Sequence, residues 1–349
     1  MKYYIGLDLH RKFTEACVLD KEGDILMRNR LYHEDEQKVA DFFEQFPKDT
    51  SVAMEATIGW PWISDLLESF GFDVHLAHPL KLRLIAEARL KTDKVDAWVL
   101  AQLLRTGFLP ESYLAPSHVR EQRNLLRHRE SMKKVRGIIK NKVHALLAYH
   151  NIHPKESDIF GKAGMEMLRN LELDQHSRRI LDDMLEHIEY ANKEMKKLER
   201  YLRKTLAPDP RVRWLRSLPG IDYLSAYYIM AEIGDISRFL APEKLVGYIA
   251  LCPTTRSSGG KTWHGPPEGG RKLLKWVLVE AAHTAVKRDS YFAAIFDRME
   301  RKKGKQSAYF IVAHKMAKII WHMLTEGRPY KVRKKQTQAG SRLNVAVTQ

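Results

Sequence analysis

Four carboxylates stand where a chain could bring them together. Asp8 closes the apolar run YYIGLDL, Glu55 closes TSVAME, and Asp93 and Asp96 lie three residues apart in KTDKVDAWVL, just before an apolar stretch. Residues at i and i+3 share a helix face, so Asp93 and Asp96 repel one another there unless a cation lies near them. The pair by itself also suits the first turn of a helix, where acids meet the positive end of the dipole. Two strand-end acids combined with a helix acid pair instead suit a site for Mg²⁺ (or Mn²⁺), which takes oxygen ligands and keeps positions open for phosphate and water. Two such ions could clamp the attacking and leaving oxygens of a phosphodiester.

The elements around these acids are readable. Residues 3–9, 13–20 and 25–32 read as three strands joined by short turns, an antiparallel meander. A helix over 34–46, a strand over 50–55, a helix over 60–71, a strand over 72–77 and helices from 81 to 107 follow, by apolar spacing and by Gly71, Pro79 and Gly107 as stops. That order is the order of an RNase H-like α/β domain.

Charge divides the chain. Residues 1–110 carry 14 Lys and Arg against 18 Asp and Glu, whereas the rest carries 45 against 25, within a net charge of +16. A mildly acidic front joined to a basic body suggests carboxylate chemistry coupled to polyanion binding. The cations cluster. Nine fall between 120 and 142 (Arg120, Arg123, Arg127, Arg129, Lys133, Lys134, Arg136, Lys140 and Lys142), a candidate phosphate-binding helix or else a solvated face. Met184, Ile188, Ala191, Met195, Leu198 and Leu202 recur in steps of four and three, a heptad seam that could join two copies or pack internally. Residues 213–239 read as two helices around Pro219-Gly220, 248–265 as a polar Gly-rich stretch, and 269–289 and 302–324 as helices, with a basic tail after 327.

Composition closes other routes. Hydrophobic residues make up 44% of the chain, enough for a packed core. No apolar run is long enough for a membrane span, and the first residues read as a strand rather than a signal peptide. Two cysteines cannot build a disulfide framework, which fits a reducing cytoplasm. The fifteen histidines show no zinc-type spacing.

GLDLH, MEAT and KTDKVDA, followed in order by LPGI, AEIGDISRF and PTTRSSGGK, resemble the DEDD-type insertion-sequence transposases, the IS one-ten family, over about residues 3–324. That family includes bridge-RNA-guided recombinases and the pilin-gene inverting recombinase. The resemblance implies a RuvC-like domain over 1–110, a helical coiled-coil segment over 111–207 for nucleic-acid binding and self-association, and a C-terminal helical transposase domain over 208–326. A basic tail over 327–349 completes the chain. It also implies a catalytic, metal-binding tetrad of Asp8, Glu55, Asp93 and Asp96, and a nucleophilic serine at Ser258, the one before Gly259. Arg256, Lys261 and Arg271 stand near Ser258 in sequence and could hold a scissile phosphate, although the residues alone fit a plain solvated Ser-Gly loop better. Cys252 is a rival nucleophile with apolar neighbours.

The implied activity is DNA cleavage, exchange and rejoining through a phosphoserine. The implied partners are donor and target DNA, a structured guide RNA and further copies of the chain, from dimer to tetramer, in a bacterial or archaeal cytoplasm at the nucleoid. A metal-only Holliday-junction resolvase or nuclease is the alternative, and a non-catalytic scaffold a second. Two positions depart from the family pattern: Ala250 stands where a glycine is usual before Leu251, and Gly270 where an asparagine is usual.

Overall fold

The computed structural model describes residues 2–57, 59–85, 93–267 and 269–332, and the chain forms two compact units that divide after His118. In the first, β1 (Tyr4–Leu9), β2 (Phe13–Leu19) and β3 (Ile25–Tyr32) form the meander expected from their spacing. Then come α1 (Glu36–Glu44), β4 (Ser51–Glu55), α2 (Trp60–Phe70), β5 (Asp73–Ala77), α3 (Pro79–Ile85), α4 (Asp93–Arg105) and a short β6 (Glu111–Ser112). The strand order is β3-β2-β1-β4-β5-β6, with β1, β4 and β5 parallel and the outer strands antiparallel.

Both faces of this sheet are covered, which is why β2 and β4 are buried along almost their whole length. One apolar layer joins the sheet to α1 and α2 through Ile5, Leu7, Phe43, Ile63 and Leu67. On the other face α4 lies across β1, β2 and β4, with Ala97, Leu100, Ala101 and Leu104 buried. Gly6 makes that approach possible. A Cβ built there would overlap the Ala97 carbonyl oxygen and the Ala101 nitrogen.

The second unit is mostly helical. It contains α5 (Ser117–Tyr149, whose first turn begins in the first unit), α6 (Lys162–Asn170), α7 (Gln175–Leu206), α8 (Pro210–Arg216), α9 (Tyr223–Ile233) and α10 (Pro242–Ile249). A hairpin of β7 (Thr254–Ser258) and β8 (Lys261–Gly265) and the helices α11 (Lys272–Arg288), α12 (Ser290–Lys303) and α13 (Lys305–Glu326) complete it. Helices α5 and α7 run antiparallel. Arg129 meets Glu199 at 2.6 Å and Arg136 donates to Asn192 at 2.6 Å. The heptad seam of α7 is covered inside the chain. Ile188 packs with Val143 and Leu147 of α5, while Leu198 and Leu202 join the core built by α8 to α13. None of the described helices is long and apolar enough to cross a membrane. The strands β6, β7 and β8 and the helix α12 were not evident from apolar spacing. The expected basic tail lies, beyond residue 332, outside the described residues.

Candidate metal centre and serine hairpin

Sheet register sets the first two acids on neighbouring strand ends. Leu7 pairs with Met54 on the parallel strands β1 and β4, and Asp8 and Glu55 are the next residue on each, at the C-terminal edge of the sheet. Helix α4 begins with Asp93, one turn before Asp96, and its descent onto Gly6 brings this acidic first turn beside the same edge. Asp8 is mostly buried and Asp93 half-exposed. Burial pushes the Asp8 carboxyl above its ordinary range; the charges of Asp96 and Asp93 push it the same way, and His10 opposes them. These acids therefore carry a repulsion that a divalent cation would relieve.

The cluster contains a residue that the sequence pattern did not single out. His10 Nε2 lies 3.1 Å from Asp8 Oδ2 and 3.3 Å from Asp93 Oδ2. Among the described residues, Asp8, His10 and Asp93 form the group whose ligand atoms, all within 4.8 Å of one another, could hold a metal ion; of the four expected acids, Glu55 and Asp96 are outside it. The clue was present in GLDLH: positions i and i+2 of an extended chain face the same way. The donor set fits a hard or borderline divalent ion. Lys91 and Thr92, which precede this helix, lie outside the described residues, as does the side chain of Lys94.

Ser258 ends β7, opposite Lys261, across a Gly259-Gly260 turn in which both glycines have positive φ (55° and 76°). Two successive left-handed residues make the type I′ turn that suits the twist of a hairpin. The polar stretch expected to be a loop is thus a two-stranded hairpin with Ser257, Ser258 and Lys261 exposed on it. Arg256 pairs through its backbone with Trp263, and its side chain lies outside the described set. Arg271 is turned elsewhere: Nε donates to the Tyr248 hydroxyl at 2.7 Å and lies 3.7 Å from Glu232 Oε2. Cys252 is half-buried against the helical core.

The cations of α5 divide sharply. Arg123 is 7% exposed and donates to the carbonyls of Ala231 (2.6 Å) and Glu232 (3.1 Å) at the end of α9. Arg120 is also buried. Arg129 is held by Glu199 and Glu130, Arg136 by Asn192, and Lys133 and Lys140 lie over the rings of Trp276 and Phe160. Lys134 and Lys142 remain on the exposed face, as does Arg127, whose Nη2 nevertheless lies 3.8 Å from Oε1 of the buried Glu232. Gly220 has its own structural reason. A side chain there would strike the backbone of Ala281 in α11.

A mixed sheet of this order, with acids at the C-terminal ends of two central strands and two more opening a helix, defines the class as an RNase H-like domain with a candidate metal centre. Comparison with known proteins gives the family. The DEDD-type transposase family model matches residues 5–152, and that of the IS116/IS110/IS902 transposase family matches 212–297. The chain belongs to this transposase family. It is 25% identical over 331 residues to the transposase for insertion sequence element IS1328 of Yersinia enterocolitica, covering 93% of this chain and 97% of that one. It is 24% identical over 340 residues to a probable family 20 transposase of Pseudomonas aeruginosa (94% and 98%). With the transposase for IS1111A of Coxiella burnetii the identity is 22% over 343 residues (94% and 91%).

Proposed function

We propose that the chain cuts, exchanges and rejoins the DNA ends of its own insertion sequence, using Asp8, Glu55, Asp93 and Asp96 to hold Mg²⁺ or Mn²⁺ and Ser258 as the nucleophile. The observation that carries this reading is the convergence of Asp8 and Asp93 on one point, with Asp96 close enough to raise the Asp8 pKa. A divalent ion bound there supplies Lewis-acid stabilisation to a phosphodiester oxygen. The acids orient that ion, and the exposed Lys261 opposite Ser258 offers a charge to a phosphate. The Ser258 oxygen forms a bond to phosphorus, the bond to one deoxyribose oxygen breaks, and that oxygen leaves with a proton. Attack by a second DNA hydroxyl reverses the step and frees the serine. A structured RNA encoded with the element would select donor and target by base pairing, and more than one copy of the chain would act on the two DNA partners.

The test is label transfer. Protein purified with its co-purifying RNA and supplied with labelled element ends and Mg²⁺ should yield a denaturant-resistant protein–DNA adduct. Ser258→Ala should abolish it, Ser257→Ala and Cys252→Ala should retain it, and Asp8→Asn should abolish it in a folded protein. An adduct that survives the Ser257/Ser258 double substitution sinks the serine assignment. Cleavage without any adduct identifies an activated-water nuclease. Recombination that persists after ribonuclease treatment removes the RNA from the reading.

A further inference from the structure

We propose that His10 is itself a ligand of the divalent ion held by Asp8 and Asp93 and tilts this centre toward Mn²⁺ over Mg²⁺. The inference rests on the reading of these acids as a metal site and adds a nitrogen donor to it.

The placement of His10 is fixed by two contacts with Phe13, which is itself held in place. Its backbone N–H donates to the Phe13 carbonyl at 2.9 Å, closing the turn between β1 and β2. Its ring stacks on Phe13, centroids 4.6 Å apart and planes inclined by 29°. Phe13 lies beneath the Arg30 guanidinium, 4.2 Å from the ring centroid. The imidazole is thereby held with Nε2 aimed between two carboxylates rather than into solvent.

The spacing matches a coordination shell. Ligand atoms at about 2.1–2.2 Å from an octahedral ion sit about 3.0–3.1 Å apart when adjacent. The two Nε2···Oδ2 separations are 3.1 and 3.3 Å. A neutral imidazole has at most one proton on Nε2, and that proton serves one acceptor well, not two. A cation shared by the nitrogen lone pair and both carboxylates satisfies all three groups. Mg²⁺ takes oxygen ligands almost exclusively, whereas Mn²⁺ accepts imidazole readily and stands above Mg²⁺ for nitrogen donors. One nitrogen in a shell of carboxylates therefore changes which ion binds best without closing the open positions that a phosphate needs.

The experiment uses the full chain stripped of metal and titrated with Mn²⁺ alone and Mg²⁺ alone, read by calorimetry and by pulsed EPR of bound Mn²⁺. Wild type should show the coupling of a directly bound ¹⁴N. His10→Ala should lose that coupling and bind Mn²⁺ about tenfold or more weakly, with a much smaller change for Mg²⁺. His10 is 35% exposed, so the substitution leaves the core intact, and His10→Gln serves as a second variant that keeps an amide at the position. Asp8→Asn separates the two layers of the argument. If it abolishes Mn²⁺ binding while wild type shows no ¹⁴N coupling, or while His10→Ala keeps wild-type Mn²⁺ affinity, the metal centre stands and the histidine assignment falls. If Mn²⁺ binding is absent from wild type or indifferent to Asp8→Asn, the centre itself falls, and the histidine ligand with it.

Discussion

Gly6 on β1 and Ala97 on α4 are packed so closely that the absent Cβ of the glycine marks the space occupied by the alanine's carbonyl oxygen. The contact lies two residues before Asp8 on the strand and one residue after Asp96 on the helix. It therefore sets how near the acids of α4 come to the acid of β1. Gly6→Ala should push the helix off the sheet and cost about 1–3 kcal/mol or more, as overpacking does. It should also weaken Mn²⁺ binding although no ligand has changed. Calorimetry on the variant checks both, and unaltered metal affinity would detach the packing of α4 from the geometry of the centre.

Ala250 and Gly270, the two departures from the family pattern, touch one another. Ala250 caps α10 with a left-handed φ of 58°, and a Cβ on Gly270 would fall 2.5 Å from its Cβ. Gly270 has a φ of 70°, a conformation asparagine tolerates, so the obstacle to the usual asparagine is space: its Cβ would meet the Ala250 methyl group and, at 2.8 Å, the backbone of Ile249 and Ala250. Ala250→Gly should stabilise by roughly 1 kcal/mol by removing a strained non-glycine residue. Gly270→Asn should destabilise alone and be relieved only in part beside Ala250→Gly, because the backbone of Ile249 and Ala250 still crowds the new Cβ. A double-mutant cycle in urea measures the coupling, and strict additivity would refute it.

His314 on α13 links helix packing to the approach of the serine hairpin. Its Nδ1 lies 2.9 Å from the carbonyl oxygen of Leu251, three residues before β7, and donates to it as the neutral Nδ1–H tautomer. Burial holds its pKa below the ordinary 6.5, aided by Lys318 and Lys315 and opposed by the Leu251 hydrogen bond and Glu243. A histidine with a lowered folded pKa binds its proton more readily when unfolded. Its contribution to stability is therefore complete above about pH 6.5 and is lost as the pH falls through that value toward the folded pKa. Urea midpoints between about pH 8 and about pH 5 should fall for wild type and fall less for His314→Gln. Parallel curves would place the acid sensitivity elsewhere.

The positions of the candidate acids at strand ends and a helix start were legible in the sequence, because these are local features that apolar periodicity frames; that only Asp8 and Asp93 of the four join His10 was not. The meander and the helix of Asp93 and Asp96 emerged for the same reason. His10 was missed because no metal-ligand spacing in sequence announces a histidine whose partner, Asp93, is 83 positions away and arrives through α4 packing. The hairpin at Ser258 was missed because it is polar and lacks the apolar alternation that marks a half-buried strand; only its Gly-Gly turn betrays it. The α7 seam has true heptad spacing, but spacing cannot say whose helix fills it, and here α5 and the helices of the same chain do. Charge counting had the opposite weakness. It could not separate cations that face solvent from those spent on carbonyls.

That separation yields a test on α5. Replacing Arg127, Lys134 and Lys142 with glutamine removes charges from the exposed face; folding should stay within about 0.5 kcal/mol at each lysine, as for surface changes generally, and lose more at Arg127, which lies 3.8 Å from the buried Glu232 carboxylate. If that face binds phosphate, the slope of log K against log salt should shrink by roughly 0.7–0.9 for each phosphate no longer neutralised. Arg123→Met should do the reverse. It removes a donor from the Ala231 carbonyl, leaves the Glu232 carbonyl to the Tyr248 hydroxyl alone, and deprives buried Glu232 of a nearby cation, so it should cost about 3–5 kcal/mol of stability. Its salt slope, measured where the variant is still folded, should match that of wild type. Fluorescence anisotropy with a labelled duplex and a labelled structured RNA, taken at several salt concentrations, gives both slopes. If the triple variant keeps the wild-type slope on both ligands, the exposed face of α5 is only solvated and the phosphates are held by another part of the basic body. If Arg123→Met flattens the slope while remaining folded, the buried arginine reaches nucleic acid after all, and its two carbonyl bonds must open on binding.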